Sequence, residues 1–407
     1  MFAGGRADTL GVVDTPPGAM SLMDRDRRVF DVIVVGGGPA GSTAAYHLAE
    51  SGALDVLVVD KSEFPRHKAC GGALVSCRDW SRYLPNYAEV EADLGGHPNE
   101  HVKICVGRAL WWEGRGSHFF DQVSRADFDH RLLQAALARP GVSFRVFRAR
   151  VLERTDDGII RLSDGVDSLL TRAIVGADGV LSVVSRALGN PPRTENQAGA
   201  CLEHELVCEK PHDTAYVSFL WDGEPGYCWI FPTRKGYNVG AGFLGSARRR
   251  VRQLFRDFNE FSIERGLLPP ESERAESFGA LAPATVVGRV ADEGILLVGD
   301  AAGLLNQLSG EGIYYAMKSG QAAGRVLGAG LQGAAGRYRR QIQPLIGEVT
   351  YLRTLRPRLL AGALQGYFGL SGAAARSGLG GALQRPLVNR IFRRQRLDDA
   401  SFYSRLR

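Results

Sequence analysis

Residues 30–64 read "FDVIVVGGGPAGSTAAYHLAESGALDVLVVDKSEF". Asp31 to Val35 form a short apolar strand. Gly36, Gly38 and Gly41 follow as G-x-G-x-x-G, and Ser42 to Ser51 repeat small residues at helical spacing. Val56 to Val59 make a second strand that ends at Asp60. The glycines permit a tight turn and let backbone N–H groups approach a pyrophosphate at a helix N-terminus. Asp60 stands where a carboxylate accepts hydrogen bonds from a ribose 2′-hydroxyl. Strand, glycine turn, helix, strand and terminal acid in this order predict a dinucleotide site.

Two more segments extend that site. "AIVGADGVLSVVSRALG" (173–189) places Asp178 and Gly179 after a strand, with Ser182 at the start of a helix. "GILLVGDAAGLLNQLSGEGIYYAMKSG" (294–320) places Gly299 and Asp300 after a strand and starts a helix near Gly312. Asp300 is a candidate to hold ribityl hydroxyls of a flavin. Amides at the Gly312 helix start would face its pyrimidine ring, where a helix N-terminus stabilises negative charge. Together the three segments resemble the FAD-binding fold of the para-hydroxybenzoate hydroxylase type, in which FAD and substrate domains interleave. Between them, "SRADFDHRLLQAALARPGV" (124–142) reads as a helix capped by Ser124. The resemblance implies that Arg125 contacts FAD; a surface arginine at a helix start is the alternative.

The stretch "GYCWIFPTRKG" (226–236) alternates Tyr227, Trp229 and Phe231 with Cys228 and Ile230 until Pro232. Strict alternation is strand periodicity, so the three rings share one face. Upstream, "FPRHKACGGAL" (64–74) sets two glycines beside Cys70, which lets backbone pass close to a flat ring. Lys68, Cys70 and Gly71 resemble the K-x-C-G motif of the geranylgeranyl reductase family, and "YCWIFP" is similar to its Y-x-W-x-F-P motif. That resemblance covers roughly 30–330. It implies FAD contacts from Gly36, Gly38, Pro39, Ala40 and Gly41, and from Asp60 and Lys61. It further implies contacts from Lys68, Cys70 and Gly71, from Asp178 and Gly179, and from Gly299, Asp300, Gly310, Gly312 and Ile313. Cys70, Tyr227, Trp229 and Phe231 would serve catalysis and line a polyprenyl cavity. The chain departs from the family at Gln307, where proline is usual, and at Ser185, where arginine is common.

The totals bound the rest. A chain of 407 residues exceeds one ordinary core. With 44% hydrophobic and 23% charged residues it is globular rather than disordered. Its six cysteines form no C-x-x-C pair, so zinc has no support and no metal is expected. Residues 1–29 lack an apolar signal core and read as a loose tail, which points to the cytoplasm and to reduced thiols. No apolar run approaches the roughly 20 residues of a spanning helix. From 331 onward the chain holds 14 arginines and 3 acidic residues, a net of +11 against +6 overall. Such a segment suits an anionic membrane surface at the inner face. A solvated helix pair accounts for it equally well, and no nucleic-acid motif accompanies it.

The expected architecture is an α/β Rossmann-like FAD domain (30–80, 121–190 and 276–330) interleaved with an α+β antiparallel-sheet substrate domain (81–120 and 191–275). The tail 1–29 precedes these and a basic helical segment, 331–407, follows. The expected activity is FAD-dependent reduction of isoprenoid double bonds. The runner-up is a flavin monooxygenase or halogenase acting on an aromatic or polyketide-like molecule. A prenyl-binding carrier resembling Rab-GDP-dissociation inhibitors is a third, opposed by the intact Asp60, Asp178 and Asp300. No second G-x-G-x-x-G holds a nicotinamide, so electrons come from diffusing NAD(P)H or a ferredoxin-like protein.

Overall fold

Val32 to Val35 and Val56 to Val59 are β-branched runs without polar interruption, the pattern of parallel strands buried on both faces. They form β1 (Val29–Val35) and β2 (Val56–Asp60), paired in parallel with Val32 opposite Val56. Helix α1 (Pro39–Leu48) crosses between them and is buried along its whole length. The computed structural model describes residues 28–350 apart from 77, 85–86, 195–196, 210, 275 and 307–308. The loose tail, most of the basic segment, Cys77 and Gln307 therefore lie outside the described residues.

The chain continues through β3 (Ala73–Val75), α2 (Tyr87–Leu94), β4 (His97–Val106), β5 (Ala109–Gln122) and α3 (Arg125–Leu137). Next come β6 (Val142–Val146), β7 (Val151–Arg154), β8 (Ile160–Ser163), β9 (Ser168–Gly176) and the short α4 (Val183–Ala187). Then follow β10 (Ala198–Val207), β11 (Thr214–Phe219), β12 (Gly226–Thr233), β13 (Gly236–Phe243) and α5 (Val251–Glu264). Last are β14 (Phe278–Pro283), β15 (Ala291–Asp292), β16 (Ile295–Leu297), α6 (Gly299–Ala302), α7 (Ile313–Gly328) and α8 (Ala334–Thr350).

Two eight-stranded sheets result. The first has the order β15-β16-β9-β1-β2-β6, with β8 and β7 attached beside β9. The second runs β14-β10-β13-β12-β11-β4-β5-β3. Three expectations need correction. Strands β3 and β14 lie inside the ranges assigned to the FAD domain, yet both pair in the second sheet. The chain changes sheets where small residues let it pass, at Gly71-Gly72, rather than where composition changes. The second sheet is also not wholly antiparallel, because β11 joins β4 in parallel. Alternation along a strand reports which face is buried and carries no information about direction.

One contact fixes the cofactor end of the first sheet. A Cβ on Gly320 of α7 would overlap the Ala40 carbonyl of α1, and one on Gly324 would sit 2.6 Å from the Ala44 oxygen. The two helices therefore touch backbone to backbone, and both point their N-termini toward the glycine turn. Gly320→Ala is expected to lower stability by about 1–3 kcal/mol through forced separation. It should also weaken flavin retention. Urea unfolding and the flavin-to-protein absorbance ratio check both effects.

Candidate active site

The glycine turn is shaped by what it excludes. Gly36 has φ +108°, and a Cβ there would overlap the Ala177 oxygen; one on Gly41 would overlap the Gly36 oxygen. At Gly38 a Cβ would meet only ordinary contacts, Arg66 Nη2 at 3.5 Å and Asp129 Oδ2 at 3.9 Å. Pro39 and Ala40 open α1, with proline at the first turn, where its missing N–H is harmless. Asp60 ends β2 with Oδ2 accepting from the Gly37 amide at 2.9 Å and Oδ1 from the Ser62 amide at 3.1 Å. Its carboxylate thus braces the turn. Lys61, next in sequence, is exposed.

Arg125 is not a surface arginine. It follows the Ser124 cap of α3, and its guanidinium makes two bonds to Asp129, at 2.9 and 3.0 Å. Asp129 is fully buried, and Arg66 Nη2 approaches it at 3.5 Å. Burial opposes the Arg125 charge, but Asp129 and the Cys70 thiol more than offset this and its pKa is raised. Asp178 has a different task. Its Oδ1 accepts from Ser182 Oγ at 2.5 Å and its Oδ2 from the Val183 and Val184 amides at 2.6 and 3.3 Å, so it caps α4. Gly179 beside it has φ +78° with open space around it.

Asp300 lies in the first turn of α6, and among the described residues no donor bonds to its carboxylate. Burial raises its pKa, opposed by the charges of Lys68, Arg125 and Arg193. Gly299 before it has φ +53°. Asp300 Oδ1 is 3.8 Å from the Cβ position of Gly312, which caps α7 just before Ile313. The loop entering α7 is clamped by a pair absent from the sequence reading. Arg78 binds Glu311 through Nη2–Oε2 at 2.7 Å and Nε–Oε1 at 3.1 Å, and lies 3.7 Å over the Tyr314 ring. The partners are 233 residues apart, so no local pattern announces them.

The second sheet brings its aromatic strand to this place. Cys228 and Ile230 pack with Phe255 and Phe258 of α5, while Trp229 and Phe231 pack with Val102, Phe120 and Ala215 on the opposite face. Trp229 lies across Gly240 of β13, where a Cβ would overlap its ring. A Cβ on Gly71 would sit 2.9 Å from Phe231 Cε2 and 3.3 Å from Trp229 Nε1. Tyr227 continues the row, and its hydroxyl occupies the space a side chain at Gly310, φ +69°, would need. The aromatic face therefore divides: Trp229 and Phe231 are sealed between the sheet and the Cys70 loop, while half-buried Tyr227 abuts the loop before α7.

Asn238 joins these parts. Its Oδ1 accepts from Trp229 Nε1 at 2.7 Å, and its Nδ2 donates to the Cys70 oxygen at 3.2 Å and to Glu203 Oε2 at 2.5 Å. Glu203 is buried, and its Oε1 lies 3.2 Å from His67 Nε2. Burial lifts its pKa to about 7, opposed by the bonds from Asn238 and the Cys70 amide. Sequence reasoning missed Glu203 and Asn238, since each looks like an ordinary polar position in an alternating strand. Among the described residues no group of three His, Cys, Asp or Glu side chains is placed for a metal, and Cys70, Cys105, Cys201, Cys208 and Cys228 are free thiols.

Comparison with known proteins places this geometry. A model of FAD dependent oxidoreductases matches residues 31–171. Digeranylgeranylglycerophospholipid reductase 2 of Methanopyrus kandleri is 30% identical over 317 residues, 73% of this chain and 76% of that one. Menaquinone reductase of Mycobacterium tuberculosis H37Rv is 31% identical over 314 residues, with the same coverages. The chain belongs to the geranylgeranyl reductase family of FAD-dependent oxidoreductases. A geranylgeranyl bacteriochlorophyll reductase-like protein of Thermoplasma acidophilum shares the fold, with a TM-score of 0.65 at 23% identity, over 84% of this chain and 88% of that one. Structures of a probable monooxygenase and of a flavin-dependent halogenase share it too, at 20% and 21% identity, so fold alone does not select the reaction.

The residues of this geranylgeranyl reductase family member fit FAD. The glycine turn opens α1 without a clash at Gly38, and Arg66, paired with Asp129, lies beside it, so the turn amides and the helix N-terminus suit a diphosphate. Asp300 is a half-buried acceptor suited to hydroxyls, and two helix N-termini face the same region. Asp300→Ala should weaken FAD binding by about 1.5–3 kcal/mol, roughly 10- to 100-fold; equilibrium titration of the apoprotein followed by flavin fluorescence measures it. Trp229→Ala should lower stability by about 3–5 kcal/mol, because the ring is sealed and bonded to Asn238. Thermal unfolding followed by circular dichroism tests that.

Proposed function

We propose that this enzyme reduces carbon–carbon double bonds of an isoprenoid substrate carrying a geranylgeranyl or polyprenyl chain. The observation that carries the reading is the aromatic row Tyr227, Trp229 and Phe231 packed against the Cys70–Gly71 loop beside Asp300 and the α7 start. The relatives, a menaquinone reductase and a digeranylgeranylglycerophospholipid reductase, support it. Reduced FAD supplies a hydride when bound.

The protein's part is to hold and to protonate. An isolated alkene has no strong polar handle, so it must be fixed by apolar contact in a slot that excludes water. Such positioning can supply about 7 kcal/mol of the barrier. Tyr227 lies on the cofactor side of the row and serves as the wall for the chain, with Trp229 and Phe231 as its rigid backing. Cys70, whose thiol faces the Arg125 guanidinium, stands at the proton-delivering side. In this reading Gly36, Gly38, Gly41, Asp60, Lys68, Asp300, Gly310, Gly312 and Ile313 surround FAD, with Arg125 held at its edge by Asp129. NAD(P)H or a ferredoxin-like protein furnishes the electrons. Among the described residues no helix is long and apolar enough to cross a membrane. The arginine-rich segment from 331 onward is the part proposed to meet an anionic membrane surface, at the cytoplasmic face of the inner membrane.

Anaerobic incubation with dithionite and a set of polyprenyl diphosphates and prenylquinones should yield products heavier by pairs of hydrogens in mass spectrometry. Product formation that requires oxygen or chloride instead would replace the reading with a monooxygenase or a halogenase. Tyr227→Ala should keep the flavin and the fold while lowering turnover at least about tenfold, the effect of about 1.4 kcal/mol of lost positioning. Single-turnover rates on flavin-matched samples check it.

A further inference from the structure

Glu203 is a buried carboxylate that the reading above leaves without a task. It lies on β10, in register with Gly240 of β13 and Phe278 of β14, and is 2% exposed. One oxygen accepts from Asn238, the other lies 3.2 Å from His67 Nε2, and the Cys70 amide donates to the same carboxylate. His67 keeps 45% of its side chain exposed and packs on Phe278 with ring centroids 4.1 Å apart. A single imidazole therefore links solvent to a carboxylate behind the Cys70 loop.

The groups facing Glu203 are few. His67 and Cys70 come from the loop, Arg125 from α3 and Glu205 from its own strand; Asn238 and Phe278, from β13 and β14, are uncharged. Burial sets the balance near neutrality, with Glu203 lifted to about 7. A carboxyl that exchanges its proton in that range is matched to general acid work at cellular pH. Anchoring Asn238 alone would need only an acceptor oxygen, which glutamine also has.

We propose that His67 and Glu203 form the proton inlet of the active site, His67 exchanging protons with solvent and Glu203 holding one at the buried wall beside Cys70. The proposal rests on the reduction reading. Saturating one double bond breaks its π bond and forms two C–H bonds. The hydride brings one hydrogen with both electrons, and a proton completes the second carbon. Glu203 gives up its proton toward Cys70, becomes a carboxylate and is recharged through His67, so each cycle consumes one solvent proton.

The test uses the full, flavin-loaded enzyme with Glu203→Gln and His67→Ala. Infrared titration of the wild type should show a protonated-carboxyl band that disappears as pH rises through about 7 and is absent in Glu203→Gln. A raised folded pKa stabilises below it, so the wild-type thermal midpoint should fall as pH rises through that value, and Glu203→Gln should lose this dependence. Alkene reduction should drop about 10²-fold in Glu203→Gln with flavin retained, and lose its neutral inflection. His67→Ala should slow turnover, and added imidazole should restore it. Unchanged turnover and pH profile in Glu203→Gln would overturn the inlet, as would a titrating band that persists in that variant. If Glu203→Gln fails to hold flavin, His67→Ala decides, and full activity without imidazole overturns the proposal. A wild type that shows the titrating band but reduces no prenyl substrate supports the carboxyl assignment and overturns the functional reading alone.

Discussion

The amide of Asn238 is the point on which the two halves of the site depend. Its three hydrogen bonds reach the indole of Trp229, the backbone of Cys70 and the carboxyl of Glu203. One end thus belongs to the second sheet and the other to a loop that leaves the first sheet after β2. Each bond contributes about 0.5–1.5 kcal/mol, but losing the amide would strand three buried partners at about 1–3 kcal/mol each. That asymmetry makes the junction specific. Two of the bonds fix the amide within the second sheet, and the third ties the loop to it, so the loop cannot slide along the aromatic strand without stranding the Cys70 carbonyl and one amide hydrogen.

Around that junction, the charges are arranged in closed pairs with one opening. Arg125 is tied to Asp129, and Arg78 to Glu311. Buried pairs of this kind add little net stability, because desolvation offsets their attraction, yet removing one partner is strongly destabilising. Their contribution is geometric. The Arg78 pair fixes the loop that presents Gly310 and Gly312, and the Arg125 pair holds a cation beside Cys70. Asp300 is the opening: a half-buried carboxylate with cations nearby and no donor on it among the described residues. A cofactor rich in hydroxyls completes that set, which is why the cofactor assignment follows from polar satisfaction as well as from motif order.

The sequence made the first sheet largely legible and the second only in part. The β1–α1–β2 unit announces itself because its glycines, valines and terminal Asp60 are close in sequence and each is needed for a local reason. The aromatic strand was also readable, since alternation alone fixes which rings share a face. Its burial was not. Trp229 looks like a pocket wall from its position before Pro232, and it becomes a sealed ring only because Gly240, on another strand, leaves room for it. Arg125 shows the converse: the alternative of a surface arginine at a helix start falls once Asp129, one turn later, is found to be fully buried. Glu203, Asn238 and Arg78 were invisible for one reason. Their partners are brought in by sheet order and loop crossing, which no local pattern records. Asp178 caps α4, a task that a strand–Asp–Gly–helix pattern describes as well as it describes a ligand contact.

The shared fold leaves the reaction to be decided by the wall opposite the cofactor, and there the chemistry divides by polarity. A hydroxylation or halogenation must steer an oxygenated or halogen species toward an aromatic ring, which calls for polar groups that orient the substrate. In this chain the sheet face at that wall carries three aromatic rings, with glycines at 240 and 242 of β13 paired to Trp229 and Tyr227. Gly240 makes room for the Trp229 ring, so Trp229 and Phe231 back the wall and half-buried Tyr227 forms its exposed end. Glu203 and Asn238 share the sheet face of Trp229 and Phe231 and meet the Cys70 loop there, where His67 reaches Glu203 from the loop. A flat apolar surface suits a chain that is recognised by its length and its lack of polarity. A protonatable cluster at its rim suits a reaction whose second hydrogen arrives as a proton. On the proposed reading, one loop pinned by Asn238 lies between the chain-binding wall at Tyr227 and the proton source at Glu203.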